Sequence, residues 1–242
     1  MLTRKISEIT ILEETYLDCI YLTVDFDWAH DELLGDTLNL LEGQNIKCTF
    51  FVTHDTPILS RIRSNPNFEL GIHPNLNPLL HEINEGKRLA KNCFEELLSI
   101  VPEAQSFRCH SMTNSSRILE LAASLGLKFD CNYFIPYQAN IELRPWITWN
   151  GITRVPYFWE DDISLEYGVN ETPSELQQIL QRSGLKVFDF HPIHIGLNSE
   201  HLNRYEKSRE NHHRPKALKA SINPGYGTRD KFQFILQNTS VH

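Results

Sequence analysis

Residues 19–27 read CIYLTVDFD. The stretch Cys19–Asp25 is rich in β-branched and aromatic residues, with no charge before its last position. Such a run predicts a strand buried on both faces, the kind found in parallel sheets. Side chains alternate along a strand, so Asp25 and Asp27 point to the same side. Two carboxylates this close repel each other unless a cation lies between them or one keeps its proton. The residues thus fit an ion site, or else a pair of loop acids, one of which caps the next helix. That helix is predicted from Leu33, Leu34, Leu38 and Leu41 and closes at Gly43.

Six more runs of the same type follow: 47–53 (KCTFFVT), 68–73 (FELGIH), 106–110, 128–134, 152–159 and 186–191 (KVFDFH). Helical patterns separate them. Ala90, Cys93, Phe94, Leu97, Leu98 and Val101 recur at helical spacing. Ile118, Leu119, Ala122 and Leu125 follow Asn114–Ser115 as a cap and stop at Gly126. Thr172-Pro173-Ser174-Glu175 reads as a capping box with proline at the first helical position, opening a helix that stops by Gly184. Strand and helix alternate about seven times, which predicts an α/β barrel or a doubly wound sheet. Both architectures bind ligands at the carboxyl ends of their strands. The chemically capable residues gather at those ends: Asp25 and Asp27, His54 and Asp55, His73, Arg108 and His110, Asp161 and Asp162, and His191.

Two strand ends stand out. In GIHPNLNP, His73 and Asn77 are four residues apart across a proline-bounded turn, so both can face one ion. Imidazole suits zinc and its neighbours, and an amide oxygen is a weaker ligand. The same turn would also form if Asn75 and Asn77 simply bonded their own backbone. In FDFHPIHIG, His191 follows an apolar strand, with Asp189 two residues earlier and His194 in the same turn as a second candidate.

The length of 242 residues suits one large domain. Lys and Arg number 23 against 31 Asp and Glu, giving a net charge of −8. An acidic chain without a basic run is a poor partner for nucleic acid. Five cysteines without a Cys-x-x-Cys pair, an acid-bearing N-terminus and no apolar stretch long enough for a transmembrane segment predict a reduced, cytoplasmic protein. No repeat or low-complexity linker interrupts the chain.

Taken in order, these motifs resemble the polysaccharide deacetylases, the NodB-homology proteins of the carbohydrate esterases, over roughly residues 18–197. The branch resembled is a divergent one associated with surface-polysaccharide biosynthesis. The resemblance implies a distorted (β/α)7-type barrel. It implies Asp25 as general base, Arg108 (in SFRCH) as the residue that holds it, and His191 as the acid. The family's metal triad falls on Asp27, His73 and Asn77, with Asn77 standing where the family has its second histidine. His110 replaces a usual proline. Tyr157, Trp159 and Asp161 in RVPYFWEDD, together with His110, fall on the substrate-binding wall.

The function so implied is metal-dependent hydrolysis, with zinc as the expected divalent ion, of an N-acyl group on an amino sugar. The substrate would be a carbohydrate or sugar nucleotide. Hydrolysis of a non-sugar amide and non-catalytic saccharide binding are the alternatives. Residues 1–197 are expected to form the barrel, and 198–242 a C-terminal extension that packs on it or acts as a lid.

Overall fold

Every apolar run in the sequence contributes to one sheet. The structure, a computed structural model, describes residues 1–44, 46–79 and 85–239. Its strands are β1 (Leu2–Thr3), β2 (Cys19–Asp25), β3 (Cys48–Val52), β4 (Phe68–Ile72), β5 (Ser106–Phe107), β6 (Phe129–Asp130), β7 (Trp146–Ile147), β8 (Thr153–Arg154), β9 (Trp159–Glu160) and β10 (Lys186–Phe190). Their order is β7-β8-β6-β5-β4-β3-β2-β10-β9, with β1 added to the start of β2. All pairs are parallel except β7 with β8.

The sheet closes through residues 153–160. Val155 N donates to Asp130 O (2.8 Å) and Tyr157 N to Tyr133 O (2.9 Å), tying this stretch to the β6 side. At the next residue, Phe158 N reaches Val187 O (3.4 Å), and β9 pairs with β10. Pro156 has no N–H to donate, which helps explain why one strand run is split into β8 and β9. The barrel therefore consists of β2, β3, β4, β5, β6, the 153–160 stretch and β10. This is a distorted (β/α)7-type barrel.

Helices α1 (Asp31–Glu42), α2 (Ile58–Arg63), α3 (Gly86–Ile100), α4 (Ser116–Ser124), α5 (Asp161–Glu166), α6 (Pro173–Leu180) and α7 (Pro192–Leu197) alternate with the strands. Their ends follow local chemistry. Thr172 Oγ1 accepts from Glu175 N (3.3 Å) while Glu175 accepts from Thr172 N (2.7 Å), with Pro173 at the first helical position. Ser115 caps α4 by accepting from Ile118 N (3.3 Å). The cap of α1 is His30, so neither Asp25 nor Asp27 is spent on it. Gly71 in β4 is required by closeness: a Cβ there would lie 2.6 Å from Ser106 Oγ and 2.8 Å from the Phe51 ring.

After α7 come α8 (Leu202–Ser208), α9 (Pro215–Leu218) and α10 (Thr228–Gln237). Helix α10 packs on α7 and α6, and its fully buried Phe232 meets Phe190 with ring centres 4.8 Å apart. Residues 240–242 of the expected extension lie outside the described residues. Among the described residues, no helix is long and apolar enough to cross a membrane.

Candidate active site

The interior of the barrel is polar where β2 and β10 pair. Thr23 and Asp189 are opposite each other, and Thr23 Oγ1 donates to Asp189 Oδ1 (2.6 Å). Arg108, just past β5, reaches across the barrel to this pair. Its Nη1 donates to Asp25 Oδ1 (2.9 Å), Thr23 Oγ1 (3.0 Å) and Asp189 Oδ1, and its Nε to Cys131 O (3.1 Å). The guanidinium lies between the rings of Phe51 and Tyr157, 4.6 and 4.4 Å from their centres. One cation thus faces two buried carboxylates. Burial pushes Asp189 up to about 7 even though Arg108 pulls it down.

Asp27 sits two residues beyond Asp25, where the chain bends sharply. Asp27 (φ 42°) and Trp28 (φ 54°) both take the left-handed conformation. So do Ser111 (φ 54°) and Met112 (φ 53°), directly after His110. Non-glycine residues adopt it at a cost of about 1–3 kcal/mol each, and such strain concentrates at functional loops. The two bends aim three groups at one point. Asp27 Oδ1 is 3.1 Å from His73 Nε2 and 3.2 Å from His110 Nδ1. Burial alone would raise the Asp27 carboxyl, but hydrogen bonds from His110 and His73 and the charge of His191 hold it well below the usual range. His73 Nδ1 has no hydrogen-bond partner among the described residues and stands 3.4 Å from Asp25 Oδ2.

On the other side of Asp27 stands His191, with Nε2 3.7 Å from Asp27 Oδ2. Asp161, the first residue of α5, holds it twice: Oδ1 lies 2.7 Å from His191 Nδ1, and Oδ2 accepts from His191 N (2.9 Å). Burial works against a charged imidazole, but Asp161 and Asp162 outweigh it and raise His191 well above its ordinary value. Burial, with Asp162 and Asp189 nearby, raises Glu160 well above its ordinary value. Burial lowers His194, which pairs with Ser199 Oγ (3.1 Å).

Three clusters bring ligand-type atoms within 4.8 Å of one another among the described residues: Asp27–His73–His110, Asp25–Asp189–His191 and Glu160–Asp162–His191. The second already has a cation against it, Arg108. The third uses His191, whose Nδ1 is committed to Asp161, and two carboxyls bonded to each other. Only the first offers one carboxylate and two imidazoles from three strand ends. That donor set suits zinc or a similar divalent ion. The unpartnered His73 Nδ1, aimed at Asp25, is the second-nitrogen contact that orients a ligating histidine.

Asp25, Asp27, His73, Arg108 and His191 are brought together, and five expected positions differ: Asn77, His110, Tyr157, Trp159 and Asp161. Asn77 turns away: its Nδ2 donates to Ser111 Oγ (3.0 Å), its Oδ1 accepts from Thr113 Oγ1 (3.2 Å), and its N bonds Asn75 Oδ1 (3.0 Å). His110 stands at the ion site in its place. Tyr157 and Trp159 are each 1% exposed, so neither ring is a surface for substrate. Tyr157 backs Arg108, and Trp159 Nε1 donates to Glu171 Oε1 (2.9 Å). Asp161, also 1% exposed, is spent on His191. The available aromatic face is Trp28, 37% exposed and edge-on to His110 at 5.3 Å. It directly follows Asp27, but no sequence pattern marked it. Asp189 serves Arg108 rather than bonding His191.

A family model described as WbmS-like polysaccharide deacetylase matches residues 22–209. A crystal structure of a candidate polysaccharide deacetylase involved in O-antigen biosynthesis, from Bordetella bronchiseptica, is 39% identical. The match covers 98% of this chain and 97% of that one, with a TM-score of 0.89. Two more distant structures share the fold. A candidate polysaccharide deacetylase from Mycobacterium smegmatis is 16% identical over 94% of this chain and 93% of that one, TM-score 0.51. The Bc1960 peptidoglycan N-acetylglucosamine deacetylase is 17% identical over 93% and 86%, TM-score 0.51. No curated protein matches the chain. By its family model and its full-length similarity to the Bordetella protein, the chain belongs to the WbmS-like polysaccharide deacetylase family.

Proposed function

We propose that this protein is a metal-dependent hydrolase that removes an N-acetyl group from an amino sugar during assembly of a surface polysaccharide such as O-antigen. One observation carries the reading. A carboxylate pinned by a buried arginine and an imidazole charged by its own carboxylate face each other across a cluster of one carboxylate and two imidazoles. That arrangement provides a base, an acid and a place for an ion within one strand-end site.

Asp27, His73 and His110 would hold the ion. When bound, a zinc ion supplies Lewis-acid polarisation of the acyl oxygen and a water of lowered pKa. Asp25 takes the proton of the attacking water. Arg108 keeps Asp25 aimed by the bond to Oδ1, leaving Oδ2 toward the reaction. His191, its proton affinity raised by Asp161 and Asp162, gives its proton to the departing amine, and Asp161 keeps the ring facing Asp27. Trp28 offers the sugar a flat face at the rim.

All five cysteines are free thiols, which supports a cytoplasmic location and hence a biosynthetic precursor as substrate. Residues 1–197 would form the catalytic barrel, with 198–242 as an extension packed on it.

The test is acetate release from N-acetylated saccharides by zinc-loaded protein. Fully loaded protein that hydrolyses small acyl amides and no saccharide would remove the sugar reading. Zinc titration checks the ligands: His110→Ala should weaken binding at least about tenfold, taking the range for perturbed metal sites as a lower bound. Asn77→Ala should leave it unchanged, and the opposite result would restore Asn77 to the ion.

A further inference from the structure

After α7 the chain does not leave the strand ends. The rings of His191, His194, Tyr205 and His212 stand in a row, with successive centres 6.0, 5.1 and 4.5 Å apart. Helix α8 and the turn after it are therefore stacked onto the imidazole at the centre of the site. The stack is braced. His212 Nε2 lies 3.1 Å from both Tyr205 O and Ser208 Oγ. Arg204 holds Glu200 (2.5 and 2.7 Å) and the Ser221 carbonyl (2.6 Å).

The next residue, the exposed His213, acts on His54 through charge: burial lowers the proton affinity of His54, and His213 lowers it slightly further. His54 follows β3 and His194 follows β10, and β2 lies between those strands. The 205–213 segment thus stands beside the strand ends, packed on α7 and α5, with Tyr205 stacked on His194 and within reach of the charges of Asp27 and His191. The Tyr205 hydroxyl has no hydrogen-bond partner among the described residues.

The barrel side of this space is acidic, with Asp25, Asp27, Asp161 and Asp162. The segment beside it is the reverse. Between residues 204 and 219 stand six Lys and Arg against Glu206 and Glu210, in a chain of net charge −8. Arg209 lies four residues after Tyr205, on the same helical face. Its side chain is 70% exposed, and its one ion pair, with Glu206, is a loose 3.6 Å contact. A loose surface pair leaves the guanidinium available for a better acceptor.

We infer that this segment is the anion-binding wall of the site, so that the amino sugar is recognised while joined to a phosphate group. Arg209, with the exposed His213, receives the phosphate, and the Tyr205 hydroxyl bonds the sugar. The inference rests on the reading of the site as a deacetylase and names the class of its substrate.

Binding without turnover tests it, using full-length, zinc-loaded protein carrying Asp25→Asn. N-acetylglucosamine 1-phosphate should bind at least about tenfold more tightly than N-acetylglucosamine, as one charge-assisted contact would provide. The preference should shrink as salt rises from about 0.05 to 0.5 M. Arg209→Gln should remove most of the preference, and Arg209→Lys should keep part of it, which separates lost charge from lost folding. Equal binding of the two ligands, or a preference untouched by Arg209→Gln, overturns the wall.

Comparing a nucleoside diphosphate sugar with a polyprenyl diphosphate sugar then identifies the carrier. Preference for either supports the wall if Arg209→Gln abolishes it. Arg209-dependent binding with no deacetylation by the unmutated protein would sink the enzyme reading alone. Deacetylation of neutral sugars with no phosphate preference would sink the wall alone.

Discussion

Two buried clusters in this protein each set carboxylates against a cation, and they are treated oppositely. Glu171 and Lys231, each 1% exposed, meet at 2.6 Å and link the C-terminal helix to the barrel wall. Glu171 Oε1 also accepts from Trp159 Nε1 (2.9 Å), Ser164 Oγ (3.1 Å) and Tyr137 Oη (3.4 Å). Nothing in that cluster lacks a partner. At the strand ends, among the described residues, Arg108 Nη2, Asp189 Oδ2 and His73 Nδ1 are buried without a hydrogen-bond partner. Unfilled bonds in a low-dielectric interior are costly; single ones also occur elsewhere, as at Ser106 Oγ and Arg154 Nη2, but here three gather around one arginine and its neighbours. A cluster that retains several is kept for something other than stability. The distinction lies in unsatisfied atoms, not in burial or charge.

The largest effect should come from removing the base. Asp25→Asn should lower kcat for acetate release by about a thousandfold, within the range for a positioned general base. Zinc content and melting temperature should stay close to those of the unmutated protein. Normal deacetylation by this variant would remove Asp25 from the chemistry. The opposite pattern is expected of the scaffold cluster. Lys231→Met strands Glu171 as a buried, unpaired charge and should cost about 3–5 kcal/mol in denaturant unfolding. Replacing both partners, Lys231→Met with Glu171→Leu, should recover much of that loss. Should the single variant unfold like the parent protein, the contrast between the two clusters fails.

The sequence makes one of these clusters far more legible than the other. Seven barrel strands and their strand-end acids and histidines are visible because each is a local pattern: an apolar run, then a polar side chain. The caps at Thr172 and Ser115 are equally local. Pairings across the fold are not. Asp161 and His191 are thirty residues apart in the chain, and only the β9–β10 pairing joins them. The replacement of Asn77 by His110 depends on two left-handed residues, Ser111 and Met112, which no spacing rule predicts. Tyr157 and Trp159 look like pocket walls in a linear reading. Their strand closes the barrel and buries both. Glu171 and Lys231 carry no motif at all, and lie sixty residues apart.

A smaller effect should separate positioning from chemistry on the acid side. Asp161 is the strongest of the charges that keep His191 protonated against burial. Asp161→Asn should lower kcat/KM about a hundredfold near neutral pH, in line with a weakened general acid. It should also move the alkaline limb of the pH–rate profile toward lower pH, because His191 then loses its proton sooner. Lost activity with the limb unmoved would reduce Asp161 to a structural prop, like Glu171.

The smallest effect tests whether the strand-end cluster gives up stability for its arrangement. Asp189 titrates near 7 in the folded protein, above its unfolded value of about 3.9. A carboxyl whose folded value is raised opposes folding when ionised. The penalty is absent below about pH 4, grows as pH rises to about 7, and is constant beyond. Asp189→Asn should therefore melt with the unmutated protein at pH 4 and above it at pH 8, by about 2–4 °C for each kcal/mol regained. The variant keeps Asp25 as a partner for Arg108, so the guanidinium is not left alone. A lower melting temperature at pH 8 would mean that ionised Asp189 anchors Arg108 as Glu171 anchors Lys231. In that case the strand-end cluster would be scaffold at its base, and strained only at Asp27, His73 and His110.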